Sequence, residues 1–90
     1  METQRQMLMQ AAAQLQARQH DKASLTLQVI LKRWPGQPDA VHFLGLLRYA
    51  QGDVEAGIRL VTQAIQGMPE QPAPWNNLGN LLIEARRFDE

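Results

Sequence analysis

The chain has 90 residues, enough for one small domain with a modest core, and its nine basic and nine acidic side chains give zero formal net charge. This balance argues against nucleic acid and anionic membranes as partners, since both bind strongly basic surfaces. Cysteine is absent, which excludes disulfides, thiolate nucleophiles and thiolate metal sites and fits a reducing compartment. The predicted location is the cytoplasm.

The N-terminal segment lacks the pattern of a targeting sequence. Residues 1–10 contain one basic residue, Arg5, and are interrupted by glutamines, so the apolar centre of a signal peptide is missing. The longest apolar runs, such as 43–47, are far shorter than the roughly 20 residues that cross a bilayer. The sequence therefore predicts no membrane-spanning segment.

Apolar residues at helical spacing, separated by breaks that contain proline or glycine, predict an all-α chain of about five helices and no strand. In chain order the expected helices cover residues 4–17, 22–34, 38–51, 54–68 and 72–85. Pro38 and Pro72 should open helices, because proline suits the first helical turn and disrupts a helix interior. Gly52 and Asp53 should end one helix and cap the next. Each pair of helices then forms an antiparallel hairpin.

A repeat of 34 positions underlies these breaks. The offset relates Pro35 to Pro69, and it also relates three internal segments: Leu44-Gly45 to Leu78-Gly79, Val41 to Trp75, and Ile30-Leu31 to Ala64-Ile65. Residues 18–21 and 86–89 occupy the place of the Gly52 turn in the flanking units and are expected to form turns without a glycine. Periods of this length are typical of stacked helical hairpins.

These residues resemble the tetratricopeptide repeat, whose signature places Trp, Leu-Gly and Tyr on the first helix and Ala, Phe, Ala and Pro on the second. The second unit, 38–71, matches that signature at Leu44, Gly45, Gly52, Asp53, Ala64 and Pro69. The first unit, about 4–37, is degenerate and resembles an end cap. The third, 72–90, begins with a good match at Trp75 and is expected to be a truncated repeat without its second helix. The resemblance implies a single array over 1–90, a right-handed α-solenoid of about two and a half repeats.

Several signature positions are expected to serve packing. Glycine costs about 1 kcal/mol relative to alanine inside a helix, so Gly45 and Gly79 predict close approach of the paired helix. Gly57 lies at the analogous contact on a second helix. The resemblance implies that Trp75 packs within its hairpin, whereas Trp34 fits either packing or an exposed rim.

The resemblance also implies where a partner binds, because the first helices of such arrays line a concave groove. Eight candidate groove residues carry over to this sequence: Arg5, Leu8, His42, Leu46, Tyr49, Asn76, Asn77 and Asn80. The groove changes from apolar in the first unit to amide-rich in the third. The predicted function is binding of a protein or peptide in a scaffold or adaptor role.

The asparagines allow two interpretations. Their amides could hydrogen-bond the main chain of an extended peptide, or they could be solvated. Repeats that precede the sugar-transferring enzymes of O-linked glycosylation have a similar asparagine at the position of Asn77. The carboxylate clamp of chaperone-binding relatives is not matched, since only one of its five places is polar and none is cationic: Leu8, Ala12, Phe43, Ala73 and Asn77.

No catalytic, cofactor or metal site is predicted. His20 and His42 are the only histidines, and Asp39, three residues before His42, cannot complete a metal site with it. Both histidines are expected to be solvated or to contact a partner. Ser24 lies in no nucleophile motif.

Two further interpretations concern the wider protein. The segment could serve as an N-terminal docking or oligomerisation arm of a larger enzyme, since similar repeats precede glycosyltransferases and sulfotransferases. It could also form a homo-oligomer, because the missing helix should uncover an apolar face that includes Leu78, Leu81, Leu82 and Phe88.

Overall fold

The computed structural model describes residues 3–88, with side chains through Arg86. Within that range the chain forms five helices and no strand: α1 Gln4–Gln16, α2 His20–Arg33, α3 Pro38–Ala50, α4 Val54–Gly67 and α5 Pro72–Phe88. All five predicted helices are confirmed, and their ends agree to within two residues except at the end of α5. No helix in this range has the length and apolar character that crossing a membrane requires.

The predicted helix starts have the expected caps. Pro38 occupies the first turn of α3, and the Gln37 side chain accepts a hydrogen bond from the Ala40 amide at 2.8 Å. Asp53 Oδ1 accepts from the Ala56 amide at 3.0 Å at the start of α4. These bonds satisfy amides that have no partner inside the helix, so the breaks seen in the sequence define the hairpins.

The turns of the first two hairpins share one backbone conformation. Gly52 has φ 94°, and Arg18, 34 positions earlier, also lies in the left-handed region at φ 57°. That conformation costs a residue with a side chain about 1–2 kcal/mol. The first hairpin turn, with Arg18, is therefore less stable than the second, with Gly52. The predicted turn at 86–89 is wrong for residues 86–88, because α5 continues through Phe88, and Asp89 lies outside the described residues.

The helices pack as a stack of hairpins. α1 pairs with α2 and α3 with α4, while α3 also contacts both helices of the first hairpin and α5 packs on α4. The larger core cluster joins the first hairpin to α3 and consists of Met7, Ala11, Leu27, Ile30, Ala40 and Leu47. The smaller core cluster joins α4 to α5 and consists of Val61, Ile65 and Leu81. The chain is thus an all-α helical-hairpin solenoid.

The close approach predicted at Gly45 is confirmed. A Cβ atom placed there would lie 2.8 Å from Val61 Cγ2 and 3.1 Å from the Gly57 carbonyl oxygen. Gly57 has the reciprocal contact, since its Cβ would lie 3.1 Å from the Gly45 carbonyl oxygen. The two glycines therefore let the backbones of α3 and α4 meet directly.

The packing expected at the third unit is not observed. Trp75 is 53% exposed and a Cβ on Gly79 would have no neighbour within 4 Å, because no described helix covers this side of α5. Leu82 is also exposed, as expected. Leu81 is buried against α4 and Leu78 is half-buried against the same cluster, so the expected exposure of these two side chains is wrong. The predicted exposure of Phe88 concerns a side chain outside those described. Trp34, in contrast, packs against the larger core cluster.

Candidate functional site

The eight candidate groove residues lie on the first helices α1, α3 and α5, and the structure distributes them between surface and core. Arg5, Asn76 and Asn80 are exposed, Leu8, Leu46 and Asn77 are half-buried, Tyr49 is half-buried against the smaller core cluster, and His42 is buried. α1 contacts α3, and a hydrogen bond from α5 reaches α3.

The α1 end of the groove is apolar. Leu8, Leu15 and Phe43 are half-buried and pack against the larger core cluster, which joins α1 to α3. Met9, next to Leu8, is 64% exposed. This end therefore offers hydrophobic surface on a rigid base, and the unbranched, polarisable methionine side chain can adapt to a ligand.

The α5 end of the groove is polar. Asn76 and Asn80 are exposed and lie one helical turn apart, so they occupy the same side of α5. Neither side chain makes a hydrogen bond to another described residue. Two neighbouring amides, each able to donate and accept, are thus free for a ligand or for water.

Asn77 has a different role from its two neighbours. Its Nδ2 lies 2.8 Å from His42 Nε2, and since the amide NH₂ has no lone pair to offer, Asn77 donates and His42 accepts. His42 is therefore the neutral tautomer with its proton on Nδ1. The bond links the second repeat to the third, from α5 to α3, and the NH₂ group of Asn77 is already engaged.

The expectation that His42 is solvated is wrong, and its contact with a partner stays a prediction. The side chain is only 5% exposed, and its ring lies 5.5 Å from that of Phe43, measured between ring centroids. Burial lowers the pKa of His42 below its usual 6.5, and the carboxylate of Asp39 opposes that shift in part. The imidazole is consequently a neutral, buried structural group, while His20, the first residue of α2, is half-buried.

The burial of His42 predicts a pH dependence of stability. Because the folded-state pKa is depressed, the unfolded chain binds this proton more tightly, and the stabilisation from neutral His42 is complete above the unfolded value of 6.5. The free energy of unfolding should therefore fall as the pH decreases below 6.5 towards the folded-state pKa. Urea unfolding between about pH 7.5 and about pH 5.5 measures this slope.

Two variants show whether His42 causes the slope of unfolding free energy against pH. His42→Gln should flatten it, and His20→Gln, at the half-buried first residue of α2, is the matched control. An unaltered slope in His42→Gln would contradict the assignment to the buried imidazole.

The groove carries little charge. Arg5 is the one permanently charged side chain among the eight candidate residues, and Asp39 lies beside His42 at the edge of the set. Among residues 3–88 no group of three or more His, Asp or Glu side chains is placed to hold a metal ion. The candidate residues therefore present mainly apolar and amide side chains.

Comparison with known proteins gives one family description. The family model described as Tetratricopeptide repeat matches residues 8–72 and again 44–90. A search of curated proteins returned no match.

Proposed function

The chain belongs to the tetratricopeptide-repeat family, whose repeats generally mediate protein–protein interaction without catalysis, and on that premise we propose that its first helices bind an extended segment of a partner protein. The repeats involved are 4–37, 38–71 and the partial unit 72–90. The role is that of a scaffold or adaptor, acting in the cytoplasm on protein and not on nucleic acid or membrane.

The pair Asn76 and Asn80 is the observation that carries the proposal. Both amides are exposed, lie on one side of α5 and make no hydrogen bond to another described side chain. They adjoin Asn77, which the bond to His42 holds in place. A main-chain peptide group presents one donor and one acceptor, and an asparagine amide can match both. Two amides one turn apart therefore suit the backbone of an extended peptide and make few demands on its side chains.

The α1 end supplies the apolar half of the recognition. Leu8 and Leu46 offer half-buried surface and Met9 offers exposed surface, so an aliphatic or aromatic side chain of the peptide would gain free energy by covering them. The preferred ligand thus has an apolar anchor at one end and an extended, sequence-tolerant stretch at the other. An enzyme that used this segment as a substrate-docking arm would use the same groove.

Peptides selected on the chain from a random displayed library test the proposal. For selected peptides, Asn76→Ala combined with Asn80→Ala should weaken binding about ten-fold or more, since each lost hydrogen bond contributes about 0.5–1.5 kcal/mol. Tyr49→Phe is added as a third change. Phenylalanine is chosen because the ring of Tyr49 packs against the smaller core cluster, so that only the hydroxyl is removed. Isothermal titration calorimetry gives the affinities.

A matched control removes exposed amides from the opposite face. The triple variant Gln28→Ala, Gln63→Ala and Gln66→Ala changes exposed amides on the second helices α2 and α4 and should bind like the unchanged chain. Equal affinities of the asparagine variant and the unchanged chain would refute binding through the groove.

A further inference from the structure

Two neighbouring apolar side chains are exposed on α2. Leu25 is 63% and Val29 47% exposed, and they lie one helical turn apart on the same side of the helix. Lys22 precedes this apolar pair by three residues and Lys32 follows it by three, and both lysines are exposed. The spacing of three, four and three residues places all four side chains on one side of α2. We call these four residues the α2 stripe.

The exposure of the apolar pair is independent of neighbouring repeats. The 34-residue offset relates the pair to Arg59 and Gln63 on α4. Both of these are exposed, although the first hairpin precedes α4 in the stack. The pair on α2 is exposed although a complete hairpin, α3 and α4, follows it. Neither a preceding nor a following hairpin therefore covers this side of a second helix, and α2 differs from α4 in placing apolar residues there.

The two lysines of the α2 stripe are available to a partner. Neither Lys22 nor Lys32 makes an ion pair or hydrogen bond to another described residue. The neighbouring cation Arg33 is engaged within the chain instead. Its Nη1 lies 3.8 Å from the Met7 sulfur, and its Cζ lies 4.6 Å from the centroid of the Trp34 ring. The lysines are thus the cations that a ligand on α2 would meet.

Positive charge is concentrated around the apolar pair. Residues 18–33 contain four basic side chains and one acidic side chain, whereas the whole chain has zero net charge. The one acid, Asp21, lies in the first turn of α2, where the helix dipole favours a negative charge. A partner that covers the pair and meets Lys22 and Lys32 must therefore carry negative charge on both sides of an apolar centre.

The backbone of α2 restricts the shape of that partner. Amides and carbonyls within a helix are already hydrogen-bonded, so α2 offers no backbone groups to a strand laid against it. A partner that buries apolar side chains on this surface has to satisfy its own peptide groups, and an α-helix does so internally. The stripe spans ten residues and is about 15 Å long, which corresponds to about three turns of a partner helix.

We propose that the α2 stripe docks an acidic amphipathic helix of a partner protein, with two apolar residues on the pair and one carboxylate near each lysine. The spacing of the stripe is the same in both directions, so the partner helix fits parallel or antiparallel to α2. The groove lies on the first helices and the stripe on a second helix, so this site is separate and does not rest on the proposed function. The apolar area is small, so binding is weak and depends on salt.

A synthetic helical peptide with two leucines four residues apart, and a glutamate three residues outside each leucine, is the probe. Added to the ¹⁵N-labelled full chain at low salt, it should shift backbone amides of α2. Leu25→Gln combined with Val29→Gln should weaken binding about ten-fold or more, because the apolar contact is lost. The thermal melt should be retained, since both positions are exposed and glutamine is a good helix former.

The charge of the site is tested separately. Lys22→Gln combined with Lys32→Gln should weaken binding of the glutamate peptide at low salt and remove most of its salt dependence. The same peptide with lysine in place of glutamate should bind the unchanged chain about ten-fold more weakly or less. Equal binding of the two peptides would overturn the proposal.

Two control variants place the site on α2. Leu82→Gln removes a similarly exposed apolar side chain from α5 and should leave binding unchanged. Asn76→Ala combined with Asn80→Ala should also have no effect, since these residues belong to the groove. Absence of shifts on α2, or binding that the double glutamine variant of the apolar pair leaves unaltered, would contradict the proposal. Cosedimentation with vesicles of phosphatidylcholine and phosphatidylserine that this variant abolishes would assign the stripe to a membrane surface and overturn it as well.

Discussion

Replacing Gly45 with leucine should lower the free energy of unfolding by about 1–3 kcal/mol, through overpacking between α3 and α4. The first added atom would already lie 2.8 Å from Val61 Cγ2 and 3.1 Å from the Gly57 carbonyl. Val61 is fully buried and the carbonyl belongs to helix backbone, so neither can move without separating the two helices. Urea unfolding followed by circular dichroism measures the loss.

The chain contains its own control for this variant. Gly79→Leu makes the same change at the repeat-equivalent position, where no atom lies within 4 Å of a Cβ. There the better helix propensity of leucine should leave stability unchanged or raise it by up to about 1 kcal/mol. Equal destabilisation by both variants would show that glycine flexibility, and not the contact between α3 and α4, explains the result.

Leu47→Ala should cost about 2–5 kcal/mol, the range found when a large buried side chain is truncated and leaves a cavity. Leu47 is fully buried, and its cluster includes Met7, Leu27 and Ile30 of the first hairpin. The variant therefore tests whether the degenerate first repeat is packed on the second. The shift in urea midpoint at constant slope gives the size of the effect.

Leu25 is the exposed control residue for buried Leu47. It is 63% exposed on α2, so Leu25→Ala should change stability by no more than about 0.5 kcal/mol. If Leu47→Ala were as mild as Leu25→Ala, the first hairpin would not be stacked on α3 as described.

The helices and repeats were predictable because their signals are local. Proline at the first turn of α3 and α5, the Asp53 cap and the left-handed Gly52 each act within a few residues, and each is where the sequence indicated. The same local reasoning failed at the end of α5, since it assumed a turn at Arg86 by analogy with Gly52, whereas α5 continues through Phe88.

The candidate site was only partly predictable, because burial depends on how neighbouring repeats pack. The 34-residue offset relates buried His42 to exposed Asn76, so periodicity alone gives these two residues the same environment. What separates them is the hydrogen bond from Asn77 across the repeat boundary, and spacing along the chain carries no information about that contact. The exposure of Trp75, which was expected to pack, has a related cause. Its burial requires a covering helix, and no described helix supplies one.

Resonance mapping of a bound peptide tests binding in the groove most directly. When a selected peptide is added to the ¹⁵N-labelled chain, we expect the side-chain NH₂ signals of Asn76 and Asn80 to shift, together with backbone amides of α1, α3 and α5. Signals from the exposed faces of α2 and α4 should remain in place. Shifts confined to α2 and α4, with both asparagine side chains unperturbed, would contradict the account.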